Sequence, residues 1–122
     1  MSPKLNITVM LGGPSAEREV SLRSGAAVAA ALRSLGHQVF EIDPKSGEFV
    51  LPQKTDVVFL ALHGTYGEDG TVQKQLDELG VTYTGCDADA SRIAFDKVLT
   101  KQSCIETNVP TAKFVTDRKS VV

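Results

Sequence analysis

The chain has 122 residues, of which 42% are hydrophobic and 23% charged, and its formal net charge is -2. This composition is typical of a globular protein and excludes a disordered or fibrous chain. The balanced charge, without a Lys/Arg cluster, argues against nucleic-acid binding, and the longest apolar run (residues 57–62) is too short to span a membrane. No signal-peptide core and no disulfide spacing are found, so a cytoplasmic protein is expected.

The beginning of the chain predicts a strand followed by a helix. Residues 5–11 alternate between apolar and polar side chains, as in a strand, and the glycine-rich residues 12–15 end this pattern. A helix is predicted over residues 21–35. Ser21 is the predicted N-cap, and Gly36 occupies the left-handed position that commonly follows a helix.

The middle of the chain continues the alternation. Residues 38–43 predict a second strand, and the continuous apolar run within residues 56–62 is typical of a parallel-sheet strand buried on both faces. A helix closed by Gly80 and a short strand over residues 81–84 follow. This order predicts an α/β fold, a Rossmann-like open parallel sheet flanked by helices.

The last third has a different pattern. Residues 87–108 predict a helical region in two pieces, with Asp96 as the N-cap of the second piece. Residues 111–116 predict the start of another strand. Because a domain rarely ends by starting an unpaired strand, we expect residues 87–122 to be the truncated beginning of a second domain.

Two segments follow predicted strands at the edge where ligands of open α/β sheets bind, namely residues 12–21 and residues 63–70. In the 12–21 segment, paired glycines allow close approach of a ligand, and Glu17 can bind an ammonium group or transfer a proton. An acid at a helix start also stabilises the helix dipole, which leaves Glu17 a purely structural alternative. The segment matches neither the Walker A motif nor the full dinucleotide glycine pattern.

The 63–70 loop contains three glycines around His63 and two acids. A histidine at the end of a strand can hydrogen-bond a carboxylate, or its ring can simply bind local backbone groups. Glu68 and Asp69 can cap the following helix. Lys97, further along, can reach a nucleotide phosphate or face solvent. No spacing of His, Cys, Asp and Glu resembles a metal site, so no metal-binding residue is predicted.

Both segments resemble signature sequences of the D-alanine–D-alanine ligases, which belong to the ATP-grasp superfamily. The matching sequences are GGPSAEREVSLRSG over residues 12–25 and LHGTYGEDGTVQ over residues 62–73. Residues 83–85 and 96–97 also occur in the expected order. Lys74 departs from the family pattern, which usually has a small residue there.

The resemblance implies an enzyme that uses ATP to join two D-alanines into D-alanyl-D-alanine for peptidoglycan precursors, through a D-alanyl phosphate. By motif position, Glu17 would be catalytic and would bind the ammonium group of the first D-alanine. Val20 would pack near the methyl group of that substrate, and His63 would contact its carboxylate. Lys97 would bind the nucleotide.

The resemblance also implies the domains, cofactors and partners. Residues 1–86 would form the N-terminal substrate-binding (pre-ATP-grasp) domain, and residues 87–122 would begin the ATP-grasp domain. ATP and Mg²⁺ would be the cofactors, with the metal ligands beyond residue 122, and a homodimer is expected. A chain of this extent is expected to be inactive alone. A ligase making D-alanyl-D-lactate, another ATP-grasp amino-acid ligase, and a non-catalytic binding or dimerisation module are the alternatives.

Overall fold

A three-stranded parallel sheet forms the centre of the computed structural model, which describes residues 3–116. β1 (Asn6–Met10) is the middle strand, between β2 (Gln38–Ile42) and β3 (Val57–Leu60). Both pairings are parallel, so the carboxyl ends of all three strands lie at one edge. The predicted α/β fold with a parallel sheet is confirmed, although β3 is shorter than the predicted 56–62.

Helices pack against both faces of this sheet. Within residues 3–116 the helices are α1 (Arg18–Ser34), α2 (Thr71–Leu79), α3 (Ala88–Phe95) and α4 (Lys97–Glu106). α1 follows β1 and packs on β1 and β2, whereas α3 contacts both α2 and α4. The helices therefore flank the sheet, as the strand and helix patterns predict.

The alternation of side chains along β1 builds two separate cores. In the register, Ile7 lies beside Val39 of β2 and Val57 of β3. Ile7 packs with Ala29 of α1 in the first core. Met10, which points to the other face, packs with the buried apolar residues of the second core: Val58, Leu62, Tyr66, Val72 and Leu76. Burial of these side chains is the main apolar contribution to folding.

One glycine within α1 and one just after it are required by their surroundings or by their backbone conformation. At Gly25 an added Cβ would collide with the side chain of Leu11, so glycine allows the helix to approach the residue that follows β1. Gly36 has a φ of 92°, and its N–H donates to the carbonyl of Arg33 at 2.9 Å. The predicted left-handed position after the helix is thereby confirmed.

The predicted N-cap role of Ser21 is wrong. α1 begins at Arg18, and its N-cap is Glu17, whose side chain makes no capping hydrogen bond. Ser21 lies in the helix and is completely buried. Its Oγ accepts from the N–H of Gly12 at 2.9 Å and donates to the carbonyl of Ala61 at 2.6 Å. The hydroxyl thus joins the 12–21 segment to the end of β3 instead of capping a helix.

Two predicted strands are also corrected. Residues 81–84 form no full strand, because their parallel pairing with β3 is limited to one bridge, between Val58 and Tyr83. Of the strand start predicted over residues 111–116, residues 111–115 are irregular, and Thr116 alone takes part in a β-bridge. The N-cap predicted at Asp96 is confirmed, since its carboxylate accepts from the N–H of Leu99 at 3.0 Å.

The domain division after residue 86 stays a prediction. Residues 117–122 of the predicted second domain, like residues 1–2, lie outside the described residues. Among residues 3–116, no helix combines the length and the apolar character that crossing a membrane requires.

Ser21→Ala should destabilise the fold, because the substitution leaves the buried N–H of Gly12 and carbonyl of Ala61 without their partner. The expected loss is about 1–3 kcal/mol in the free energy of unfolding, measured by urea denaturation. Ser34→Ala is the control, since Ser34 is exposed near the end of the same helix. Equal stability of the two variants would contradict this role of Ser21.

An ion pair between Arg18 and Asp43 should make stability depend on pH. The guanidinium lies 2.7 Å from Asp43 Oδ1, and the N–H of Gly13 also donates to that oxygen. The hydrogen bonds from Arg18 hold the pKa of Asp43 below its ordinary value of 3.8, even though burial opposes the shift. A lowered pKa means that the folded state binds fewer protons than the unfolded state at acidic pH.

The stabilisation should therefore be complete above about pH 5 and should decline as the pH falls through the lowered pKa of Asp43. We expect the difference in unfolding free energy between wild type and Asp43→Asn to shrink between neutral pH and about pH 3. Asp89→Asn is the control, because Asp89 is exposed on α3. A difference that stays constant over this range would contradict the ion pair.

Candidate functional site

The 12–21 segment and the 63–70 loop meet at the carboxyl edge of β1 and β3. Ser15 Oγ donates to the carbonyl of His63 at 2.7 Å and accepts from the N–H of Glu17 at 3.0 Å. A methyl group on Gly64 would lie 2.5 Å from Glu17 Oε2 and 2.9 Å from Ser15 Oγ. The backbone of Gly64 therefore allows the Glu17 carboxylate to lie directly against the second segment.

Glu17 presents its carboxylate at the start of α1. The residue is exposed, and its side chain makes no hydrogen bond to the helix that it precedes. Its backbone carbonyl, by contrast, accepts from the N–H of Ser21 at 3.1 Å and belongs to the first turn. The carboxylate is thus free to accept hydrogen bonds from a ligand while its backbone is fixed.

His63 is held by side chains and not by local backbone groups. Its Nε2 lies 2.9 Å from Ser24 Oγ on α1. Its Nδ1 lies 3.8 Å from Glu68 Oε1, an ion pair when the ring is protonated. The ring is half-buried and belongs to the loop that meets the segment of Glu17.

The acids of the 63–70 loop fix its backbone. Glu68 Oε2 accepts from the N–H of Gly64 at 2.9 Å. The Asp69 carboxylate accepts from the N–H groups of Tyr66 and Thr71, each at 3.0 Å, and so holds the loop to the start of α2. Burial raises the pKa of Asp69, but hydrogen bonds from the Thr71 side chain and from these backbone N–H groups outweigh burial, and the pKa lies below its ordinary value. The hydrogen bonds pre-organise the loop before any ligand arrives.

Tyr66 anchors the same loop in the core. Its φ is 74°, which is rare for a residue with a side chain, and its ring is buried. Its hydroxyl donates to Gln75 Oε1 at 2.6 Å, and burial raises the pKa of the phenol to about 12. Tyr66 is therefore a structural anchor of the loop.

The other predicted site residues lie on helices. Val20 is in the first turn of α1 and is 48% exposed, so it is available for contact with a ligand beside Glu17. Lys97 is the exposed first residue of α4. It forms none of the ion pairs found within residues 3–116, so the structure does not join it to Glu17 or His63.

Sequence reasoning missed Ser24 as a partner of His63. The signal was nonetheless present, since Glu17, Ser21 and Ser24 are spaced i, i+4 and i+7 and so share one face of a helix. On this face Ser21 bonds Ala61 and Ser24 bonds His63. A helix that includes residues 18–20 predicts this shared face of Glu17, Ser21 and Ser24.

The described residues offer no evident metal centre. Within residues 3–116, no group of three or more His, Cys, Asp or Glu side chains is placed to hold a metal ion. The polar groups at the carboxyl edge instead include the carboxylates of Glu17 and Glu68, the imidazole of His63 and serine hydroxyls. These groups suit a small ligand that carries both a cationic and an anionic group.

Known proteins are similar to this chain in sequence and in fold. Residues 36–86 match the family model described as the D-Ala–D-Ala ligase N-terminus. The D-alanine–D-alanine ligase of Moorella thermoacetica is 53% identical over 114 residues, which cover 91% of this chain and 37% of that protein. The chain thus spans little more than a third of that relative's length.

Solved structures agree with the sequence matches. The D-alanine–D-alanine ligase from Aeromonas hydrophila superposes with a TM-score of 0.84 at 27% identity, covering 93% of this chain and 50% of that one. The ligase from Bacillus anthracis complexed with ATP has a TM-score of 0.79 at 32% identity, covering 93% of this chain and 38% of that one. Family model, sequence and fold agree, and the chain belongs to the D-alanine–D-alanine ligase family over the region that it spans.

Proposed function

We propose that the chain supplies part of the first D-alanine site of a D-alanine–D-alanine ligase. The complete enzyme would use ATP to form D-alanyl phosphate and then D-alanyl-D-alanine for peptidoglycan precursors, in the cytoplasm where ATP is available. Membership of the ligase family supports this activity. The observation that carries the proposal is that the segment of Glu17 contacts the loop of His63 at one edge of the sheet: Glu17 lies against Gly64, and Ser15 donates to the carbonyl of His63.

The chemistry of a zwitterion fits these two side chains. The ammonium group of D-alanine needs an acceptor, and the Glu17 carboxylate makes no hydrogen bond to its own helix. The carboxylate of D-alanine needs a donor, and an imidazole can donate through either ring nitrogen. Val20, exposed one helical turn from Glu17, would pack against the methyl group of the substrate.

Phosphoryl transfer would depend on other parts of the enzyme. Lys97, exposed at the start of α4, would contact nucleotide phosphates. Mg²⁺ would neutralise the charge on the phosphates when it is bound. Within residues 3–116 the side chains do not form a ligand set for this ion. Residues 87–122 would begin the domain that binds ATP, and the chain alone would be inactive.

A homodimer belongs to the same proposal. Exposed apolar side chains support association, because water contact with apolar surface is unfavourable. Val50 and Leu79, for example, are 88% and 60% exposed and line the same surface groove.

A chimera tests the proposed function directly. This chain would replace the matching 114-residue segment of the Moorella thermoacetica ligase. Phosphate release from Mg-ATP would then be measured with and without D-alanine. We expect D-alanine-dependent release from the chimera and none from the chain alone. A folded chimera that releases no phosphate would favour a non-catalytic module.

Glu17→Gln in the chimera should lower kcat/KM for D-alanine about 10- to 100-fold, because a neutral amide replaces the charged acceptor of the ammonium group. Stability should change little, since the Glu17 carboxylate is exposed and does not cap α1. Steady-state phosphate release measures the first effect and thermal unfolding the second.

The matched control is Glu19→Gln, because Glu19 is an exposed acid in the first turn of the same helix. It should retain kcat/KM near that of the unmodified chimera. Near-normal activity of Glu17→Gln, or equal losses in the two variants, would remove Glu17 from the site.

His63→Ala should raise KM for the first D-alanine about tenfold and alter kcat less, because it removes the donor to the substrate carboxylate. His37→Ala is the control. His37 lies just before β2, at the opposite edge of the sheet, where its Nδ1 accepts from the N–H of Leu5 at 3.1 Å. An unchanged KM, or unfolding of the His63 variant, would support a purely structural histidine.

A further inference from the structure

We propose that Ser24 is a positioning residue of this site: its hydroxyl holds the His63 ring through Nε2 and leaves Nδ1 to meet the substrate carboxylate. The substrate part of this inference rests on the proposed function above. Ser24 lies on α1, one turn beyond Ser21, and its side chain is half-buried. Its Oγ is 2.9 Å from His63 Nε2, which is hydrogen-bond distance.

A second contact of Ser24 favours one direction for this hydrogen bond. Ser24 Oγ lies 3.3 Å from the backbone carbonyl of Ser21, to which its hydroxyl donates. The oxygen is then the acceptor for the N–H of His63 Nε2. This arrangement selects the ring form that carries a proton on Nε2, because the partner of one ring nitrogen determines the role of the other.

With Nε2 engaged, Nδ1 is the nitrogen left for a ligand. Its nearest charged partner is Glu68 Oε1 at 3.8 Å, beyond hydrogen-bond distance. A carboxylate that arrives at Nδ1 is bound by the protonated ring, which donates from Nδ1 to the ligand and from Nε2 to Ser24. Ser24 thus acts on the substrate through His63 and does not touch it.

The same helix provides an internal comparison. Ser34 Oγ donates to the carbonyl of Ala31 at 2.6 Å, the same three-residue step that links Ser24 to Ser21. Ser34 is exposed and bonds no histidine. If Ser24 only donated to a carbonyl of its own helix, its substitution by alanine would have the same effect as the substitution of Ser34. Ser34→Ala therefore separates the loss of this helix hydrogen bond from the loss of the contact with His63.

Nitrogen NMR of the ring tests the contact in the chain itself. The sequence has only two histidines, so the signals of His63 and His37 can be assigned by substitution. We expect a proton on Nε2 of His63 in the wild type, and altered ring ¹⁵N shifts of His63 in Ser24→Ala. The signals of His37 should not move in that variant, and Ser34→Ala should move neither set. Unchanged His63 shifts in Ser24→Ala would overturn the proposal.

Kinetics of the chimera test the consequence for the substrate. Ser24→Ala should raise KM for D-alanine about three- to tenfold with a smaller change in kcat, whereas Ser34→Ala should change neither. Ser24→Thr keeps the hydroxyl and should restore KM. An active chimera in which Ser24→Ala leaves KM unchanged, or in which Ser24→Thr is as impaired as Ser24→Ala, would overturn the positioning role.

Failure of the two proposals can be told apart. A folded but inactive wild-type chimera would overturn the proposed function and, with it, the substrate role of Ser24. The ¹⁵N shifts of His63 in the chain would still decide whether Ser24 positions the ring. Unfolding measurements on each variant separate loss of the fold from loss of the contact.

Discussion

The buried hydroxyl of Ser21 is the interaction on which the arrangement of the candidate site depends. It accepts from Gly12, just after β1, and donates to Ala61, just after β3. A completely buried hydroxyl with both functions satisfied is costly to displace, because either partner would lose its hydrogen bond away from water. Since Glu17 precedes Ser21 by one turn and Ser24 follows it by one turn, the same bond positions both side chains against the 63–70 loop.

The close approach of the 12–21 segment and the 63–70 loop also depends on glycines, which have no side chain to obstruct it. Gly64 leaves room for Glu17 and Ser15, and Gly25 lets α1 approach Leu11. Any side chain at Gly64 would meet those atoms and would also be strained at a φ of 76°. Gly64 and Gly25 are therefore required by packing around the candidate site.

The sequence predicts the fold well where periodicity carries the signal. β1, β2, β3 and the left-handed Gly36 follow from local patterns, whereas residues 81–84 form only one bridge and not the predicted strand. The start of α1 lies before the predicted position, because Ser21 resembles an N-cap although tertiary hydrogen bonds occupy its hydroxyl. Parallel topology also predicts that Glu17 and His63 approach each other. The contact between Ser24 and His63 spans 39 residues, and only the packed structure reveals such a pairing.

The contact between His63 and Glu68 is weak, as the proposed binding of a ligand at Nδ1 requires. Glu68 and His63 are both substantially exposed, and their charged atoms lie 3.8 Å apart. Exposed ion pairs contribute about 0–1 kcal/mol, so a ligand carboxylate can replace Glu68 at Nδ1 at little cost. The hydrogen bond between Nε2 and Ser24 Oγ is shorter, at 2.9 Å, and is partly buried. One nitrogen is thereby fixed and the other exchangeable, which lets an imidazole change partners without changing its orientation.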